Sequence, residues 1–234
     1  MESYTILAKY YDQLMKDFSY STYLNFIKGY VKGEGADLAC GTGKMTIALA
    51  KLGHKMMGVD ISSDMLNVAR DSARKAGKNI MFLQDDIKSF TPTHPLDFIT
   101  CVCDGFNYIE DLSVINQLAT YIKKDGYLIF DVSSEYKLKN VLGNNTFCED
   151  TKYATYIWSN ELKDNYVDMN VAFFEKESAD LYRREDERHR QYIHTLSKIK
   201  CILDTDFEYN VYDGQTFSEL KDDSLRYLFI AKRK

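Results

Sequence analysis

The chain has 234 residues, 45% hydrophobic and 28% charged, with only 2 Pro and 12 Gly. That balance excludes collagen-like and broadly disordered chains, and the length suits one large domain or one domain carrying an insertion. Thirty Lys and Arg against thirty-five Asp and Glu leave a net charge of −5, so no general basic field is available and nucleic acid is disfavoured as a partner.

Terminal and apolar patterns narrow the class further. The opening MESYTILAKYYDQ lacks a basic stretch followed by an apolar run, so no secretory leader is expected. No window approaches about 18 consecutive apolar residues, so no membrane span is expected. The five cysteines, Cys40, Cys101, Cys103, Cys148 and Cys201, are odd in number and scattered, which points away from a disulfide framework. Cys101 and Cys103 lie in the apolar run FITCVC, where alternation would put both thiols on one side of a strand. No second Cys or His pair stands at zinc spacing, so no metal is expected. The expectation is a reduced, soluble, cytoplasmic protein, monomer or homodimer, closing in a solvated Lys232-Arg233-Lys234 tail.

In chain order, Glu34–Ala39 reads as a short strand bounded by Gly33, Gly35 and Gly41. Gly43–Leu52 reads as a helix stopped by Gly53, and Lys55–Val59 as a second strand. Ser63–Ala76 is a second helix, capped by Ser62 or Ser63 and ended by Gly77. Ile80–Leu83 and Phe98–Cys103 are buried-strand runs, Val114–Ile122 is helical, and Tyr127–Val132 follows the Asp125-Gly126 turn as a strand. Such alternation predicts a doubly wound α/β fold with a mostly parallel sheet covered on both faces.

After Leu142 the pattern changes. Thr151–Asn160 alternates Tyr153, Thr155 and Ile157 against Ala154, Tyr156 and Trp158. Asn165–Phe174 sets Val167, Met169, Val171 and Phe173 against Tyr166, Asp168, Asn170 and Ala172, a half-buried antiparallel strand. Leu181–Tyr192 carries Arg183, Glu185, Glu187, His189 and Gln191 on one parity and Arg184, Asp186, Arg188 and Arg190 on the other. It is exposed on both faces, lines a polar cleft with one of them, or is helical over Leu181–Arg190. Residues 143–194 are therefore expected to form an antiparallel insertion of about three strands, acting as a lid on a domain of residues 1–142 and 195–234. Sheet-like text returns at Asp206–Tyr212 and Leu225–Ala231.

The sharpest chemical signal is ADLACGTGKMT. Gly41 and Gly43 leave the backbone bare where the strand turns into a helix, so a ligand can approach the amides at the helix N-terminus. Asp60 ends the second strand and can accept hydrogen bonds from ribose hydroxyls, so the two together read as an adenosine-type cofactor site. A dinucleotide site would have a third glycine where Thr46 stands, and a P-loop would need Ser or Thr after Lys44 and a glycine at Leu38. A turn that only closes a βα unit is the plain structural alternative. Further on, Asp104, Asn107 and Tyr108 put a carboxylate, an amide and a phenol after a strand end, where Asp104 and Asn107 could equally cap the turn. His189 and Glu187 share one side of their strand, and histidine is the natural proton acceptor near neutral pH. His54 and His94 read as loop residues.

DLACGTG, then GVDIS and QDDI, resembles the cofactor motifs of class I S-adenosylmethionine-dependent methyltransferases, with Ala39 at the first glycine of D-x-G-x-G-x-G. AKYYDQLMKDFSY, CDGFNYI, LIFDVSSEYKL, NVLGNNTF, YIWSN and YRREDERH look like a group of small bacterial methyltransferases of unassigned substrate. That group looks related in architecture to glycine N-methyltransferase and amino-sugar N,N-dimethyltransferases. The resemblance implies a Rossmann-like fold, S-adenosylmethionine as cofactor, and a small-molecule acceptor methylated at nitrogen or oxygen. It implies that Asp37, Ala39, Gly41 and Gly43 wall the methionine end of the cofactor, Asp60 holds the ribose diol and Ile61 packs beside the adenine. Asp86 would accept from the adenine amino group, with Asp85 the second candidate, and Cys103 and Asp104 would stand near the methyl group. Tyr11 would cover the cofactor, an aromatic face being attractive to a sulfonium. Asp104, Tyr11 and His189 are then the catalytic candidates, and Asn107, Tyr108, Glu187 and His189 the acceptor-side ones. RNA or protein as acceptor, or cofactor binding without turnover, are the rival readings.

Overall fold

A computed structural model describes residues 5–15, 18–150, 154–178 and 181–234. The helices are α1 (Thr5–Leu14), α2 (Tyr20–Ile27), α3 (Lys44–Lys51), α4 (Ser63–Lys75), α5 (Val114–Thr120) and α6 (Leu196–Asp206). The central strands are β1 (Glu34–Leu38), β2 (Lys55–Asp60), β3 (Met81–Gln84), β4 (Leu96–Cys101) and β5 (Ile122–Ser133). A second group comprises β6 (Thr146–Asp150), β7 (Ala154–Leu162), β8 (Tyr166–Lys176) and β9 (Tyr182–Tyr192). The chain closes with β10 (Phe207–Asp213) and β11 (Arg226–Arg233).

Seven strands form one sheet in the order β10-β11-β5-β4-β1-β2-β3. The five from β3 to β5 are parallel, and β11 enters antiparallel to β5 and to β10. Strand alternation divides the core. Ala36, Leu38, Ile99, Cys101, Phe130 and Phe229 pack on α5 and α6, whereas Phe98, Ile129, Leu228 and Ile230 pack on α2 and α3. Both faces are thus covered, which is why these strands read as near-continuous apolar text. Helix stops fall where expected: Ser62 Oγ accepts from Met65 N at 3.2 Å, and Gly77 follows α4 in the left-handed region.

Several expectations shift. β4 ends at Cys101, and Cys103 stands at φ +62, outside the strand. The thiols therefore part: Cys101 lies in the α5/α6 core and Cys103 packs toward the α2/α3 side. The closing basic residues are not a solvated tail. Lys232 and Arg233 belong to β11, and Arg233 donates to Ala119 O at 3.1 Å and Asp206 O at 3.0 Å.

β6–β9 form a separate antiparallel sheet of four strands rather than about three. Tyr153 lies outside the described residues. Val167, Met169, Val171 and Phe173 are buried, as their alternation requires. The helical alternative over Leu181–Arg190 gives way to a strand from Tyr182 on: Arg188 stands opposite Asn170, and Arg190 forms a forked pair with Asp168 at 2.7 and 3.0 Å. Helix α1 ties this sheet to the parallel one. Tyr10 stacks on Phe173 and donates to Glu175 at 2.7 Å, while Asp12 accepts from Thr42 Oγ1 at 2.8 Å and pairs with Lys44. No helix among the described residues is long and apolar enough to cross a membrane.

Candidate active site

Parallel strands end together, so the loops after β1, β2, β3, β4 and β5 converge on one edge of the sheet. After Leu38 the backbone turns through Ala39, Gly41 and Gly43, all at positive φ (+49°, +53° and +77°), into α3. Gly43 cannot gain a side chain freely, since a Cβ there would stand 3.0 Å from Ala69 Cβ. Ala39 holds a conformation that glycine adopts without penalty, at a strain of about 1 kcal/mol. Its methyl fits because Gly105 is bare: a Cβ on Gly105 would meet Ala39 Cβ at 2.8 Å.

Asp60 fastens this turn. Its Oδ2 accepts from Gly41 N at 2.8 Å and its Oδ1 from Ser62 N at 2.9 Å. Burial pushes its carboxyl up, against those backbone bonds. Ile61 beside it is an open apolar shelf, 43% exposed. Asp85 and Asp86 follow β3: Asp85 accepts from Asp86 N and Ser89 Oγ, and Asp86 from Lys88 N. The Tyr11 ring lies 3.8 Å from where a Gly41 Cβ would stand, and burial raises its phenol well above the usual range, so it stays protonated.

Asp37 stands apart from the cavity. It is 1% exposed and accepts from Thr46 Oγ1 at 2.5 Å and Thr100 Oγ1 at 2.7 Å, bonds that hold β1, β4 and α3 together behind the turn. Burial pushes its carboxyl up to about 6, above the 3.8 of a free aspartate. A carboxylate raised on folding makes a contribution that is full below the unfolded value and is lost as pH climbs to the folded one. Asp37→Asn is therefore expected to gain stability relative to the native chain between about pH 4 and pH 7, by about 2–3 kcal/mol. Denaturant unfolding of both proteins across that range checks it, and a pH-independent difference would overturn it.

Beyond β4, Cys103 and Asp104 stand consecutively at φ +62° and +58°. Two adjacent non-glycine residues in that region are costly and persist only where the surroundings hold them. Asp131, fully buried on β5, does so by accepting from Cys103 N at 3.1 Å and Asp104 N at 2.7 Å, with Tyr23 Oη at 2.9 Å as a third donor. Arg226 from β11 donates through Nη1 to Asp131 and through Nη2 to Asp104 Oδ1 at 2.8 Å. Asp104 Oδ2 accepts from Gln191 Nε2 at 2.8 Å and Ser133 Oγ at 3.3 Å, and Lys137 Nζ donates to Ser133 Oγ at 3.0 Å. Burial alone would raise the Asp104 carboxyl, but Arg226 and then Lys137 outweigh it and hold the group well below the carboxylate range. Asp104 is thus a permanent anion and a poor proton acceptor, contrary to what its position at a strand end suggests. Burial raises the Cys103 thiol as well, so it stays protonated.

The underside of the second sheet roofs this edge. A cavity of about 310 Å³ runs from Gly41, Asp60, Ile61 and Asp86, past Tyr11, Cys103 and Asp104, to Tyr108, Tyr156, Trp158, His189 and Gln191. His189 Nε2 lies 3.4 Å from Glu187 Oε2, and the Tyr108 ring meets the imidazole edge-on at 6.2 Å. Asp85 and Ala39 also line the cavity, whereas Asp37, Gly43, Asn107 and Glu187 do not. Asn107 is fully buried with its amide committed: Oδ1 accepts from Ser133 N at 2.8 Å, and Nδ2 donates to Tyr192 O at 3.0 Å. It fastens the second sheet to β5, so the acceptor-side role expected for it gives way to a framework one.

Sequence reasoning passed over Arg226, Asp131, Lys137, Gln191, Tyr156 and Trp158. Two signals were available: Asp131 interrupts the apolar LIFDVS, and Arg226 opens the apolar strand RYLFIA. A charge in buried-strand text needs a partner, and here each is the other's. Among the described residues, no cluster of His, Cys, Asp and Glu could hold a metal ion.

Comparison with known proteins agrees with this geometry. Residues 36–126 match the family model described as a methyltransferase domain. A Geobacillus sp. (strain WCH70) protein named as a methyltransferase is 30% identical over 99% of this chain and 100% of its own. The crystal structure of an S-adenosylmethionine-dependent methyltransferase from Clostridium acetobutylicum ATCC 824 superposes with a TM-score of 0.88, at 30% identity over 98% of both chains. The sugar N-methyltransferase KedS8 from Streptoalloteichus sp ATCC 53650 shares the fold, with a TM-score of 0.71 at 15% identity, covering 93% of this chain and 86% of its own.

Proposed function

The chain belongs to the class I S-adenosylmethionine-dependent methyltransferases, and on that premise we propose that it methylates a small polar acceptor, at nitrogen or oxygen, enclosed beneath the β6–β9 sheet. The observation that carries this reading is the continuity of the cavity: one space joins the Asp60 end to the underside of the antiparallel sheet. An acceptor reached this way is enclosed by Tyr156, Trp158 and His189, an arrangement suited to a small molecule. KedS8, which shares the fold, is named a sugar N-methyltransferase, which is in keeping with a small-molecule acceptor.

The residues fit the cofactor. A buried carboxylate at a strand end beside an open apolar shelf suits a ribose diol and an adenine, and Asp60 with Ile61 supplies both. Asp86 takes the adenine amino group, and the Tyr11 ring covers the turn and favours a positive sulfur. When bound, S-adenosylmethionine supplies an electrophilic methyl group. Transfer breaks the sulfur–carbon bond, forms a nitrogen–carbon or oxygen–carbon bond, and releases one proton from the acceptor. Placement does most of the work in such an in-line displacement. We assign the proton to His189, held by Glu187, because Asp104 is too firmly ionised to accept it. Asp104 instead keeps Gln191 and Ser133 in position.

His189→Asn is expected to lower kcat by roughly 10²–10⁴-fold while leaving S-adenosylhomocysteine affinity unchanged. An unchanged kcat would remove His189 from this role. The acceptor class is tested by incubating the protein with methyl-labelled S-adenosylmethionine and separated cell fractions. Label in small metabolites supports the reading. Label confined to RNA or to protein overturns it, as does cofactor binding with no label anywhere.

A further inference from the structure

Gln191 is 5% exposed and lines the acceptor end of the cavity, and its amide orientation is dictated. Asp104 is ionised and accepts only, so Gln191 must turn its Nε2 toward Asp104 Oδ2, at 2.8 Å. That leaves Gln191 Oε1, which has no hydrogen-bond partner among the described residues. A buried carbonyl oxygen without a donor is expensive unless a ligand supplies one. Lys137, on the same cavity wall, complements it. Its ammonium has three N–H donors and a single acceptor, Ser133 Oγ at 3.0 Å, with no carboxylate within 4 Å among the described residues. Ser133 and Gln191 meet on the same Asp104 Oδ2, so three hydrogen bonds link the Gln191 amide to the Lys137 cation. Arg226 is already occupied by Asp104 and Asp131 and Lys88 by Asp86, so among the described lining residues Lys137 is the cation left to serve a ligand.

Resting on the methyltransferase reading above, we propose that the acceptor is an amine that also carries an oxyanion, its N–H held by Gln191 Oε1 and its oxyanion by Lys137 Nζ. Nitrogen fits better than oxygen because the site has two groups calling for hydrogens from the nucleophile, Gln191 Oε1 and His189. A neutral primary amine has two N–H bonds and a lone pair for the methyl, whereas an alcohol has one O–H. The oxyanion is a carboxylate or a phosphate, which share this chemistry.

The test uses the full chain loaded with S-adenosylhomocysteine and titrated calorimetrically with β-alanine, phosphoethanolamine and ethanolamine. One of the two anionic amines is expected to bind and ethanolamine to bind at least about tenfold more weakly; which anionic amine binds tells carboxylate from phosphate. Lys137→Met is expected to abolish that preference, Lys137→Arg to retain part of it, and Gln191→Leu to weaken the anionic amine and ethanolamine alike. Unchanged S-adenosylhomocysteine affinity shows that each variant is folded. Ethanolamine binding as well as the anionic amines, neither anionic amine binding, or Lys137→Met keeping the preference would each overturn the inference. Failure of the native chain to bind S-adenosylhomocysteine is a different result and would overturn the function reading itself.

Discussion

Replacing Arg226 with methionine is expected to destabilise the protein by about 3–5 kcal/mol, because it strands two buried carboxylates. Asp131 is fully buried, and Asp104 exposes 14% of its side chain; Arg226 is the only cation in contact with either among the described residues. Methionine matches the length of the aliphatic stem and leaves the charges behind. For a chain of this size the loss corresponds to a melting temperature lower by about 6–20 °C. Adding Asp104→Asn and Asp131→Asn is expected to recover part of it, since the penalty comes from unpaired charge more than from the lost pair. Differential scanning calorimetry of the single and triple variants decides the point. An unchanged melting temperature for Arg226→Met would mean that the network is not what holds this edge of the sheet. The same change should disturb the Cys103–Asp104 turn, since Asp131 is the acceptor that fixes both amides.

Asp60→Ala is expected to weaken S-adenosylmethionine by roughly five- to 150-fold, equivalent to about 1–3 kcal/mol for one buried, hydrogen-bonded carboxylate. Two effects combine. On the proposed placement of the cofactor the ribose would lose its acceptor, and the Gly41 amide loses the bond that sets the shape of the turn. Calorimetric titration measures the affinity, and circular dichroism shows whether the variant is folded. A folded Asp60→Ala protein with native affinity would remove Asp60 from the cofactor site.

Much of the Gly41–Asp60 end of the cavity was legible in the text. Glycines at 41 and 43 and an acid at 60 are local signals, because a strand-to-helix turn and the end of the next parallel strand are neighbours by topology. The acceptor end was less legible. Lys137, Ser133, Gln191 and Arg226 come from the π-helical turn Lys137–Leu142, from β5, from β9 in the other sheet and from the last strand of the chain, and no spacing rule joins them. Asn107 shows the opposite error: an amide after a strand end looks like a ligand group until its three hydrogen bonds to Ser133 and Tyr192 are counted. Cys103 shows a third. Alternation predicts a side only while the strand lasts, and this one ends two residues earlier.

Sequence alone determined the alternating α/β architecture, the glycine turn after β1 and the change to antiparallel text after residue 142, because those features are written in short-range periodicity and in glycine's freedom at positive φ. Tertiary structure decided the rest. Whether Asp104 is a base or a permanent anion depends on Arg226, 122 positions away, and on the low dielectric that makes their pairing strong. Which face of β9 looks into the cavity depends on its register against β8, since a shift of one residue would exchange His189 and Gln191 for Arg188 and Arg190.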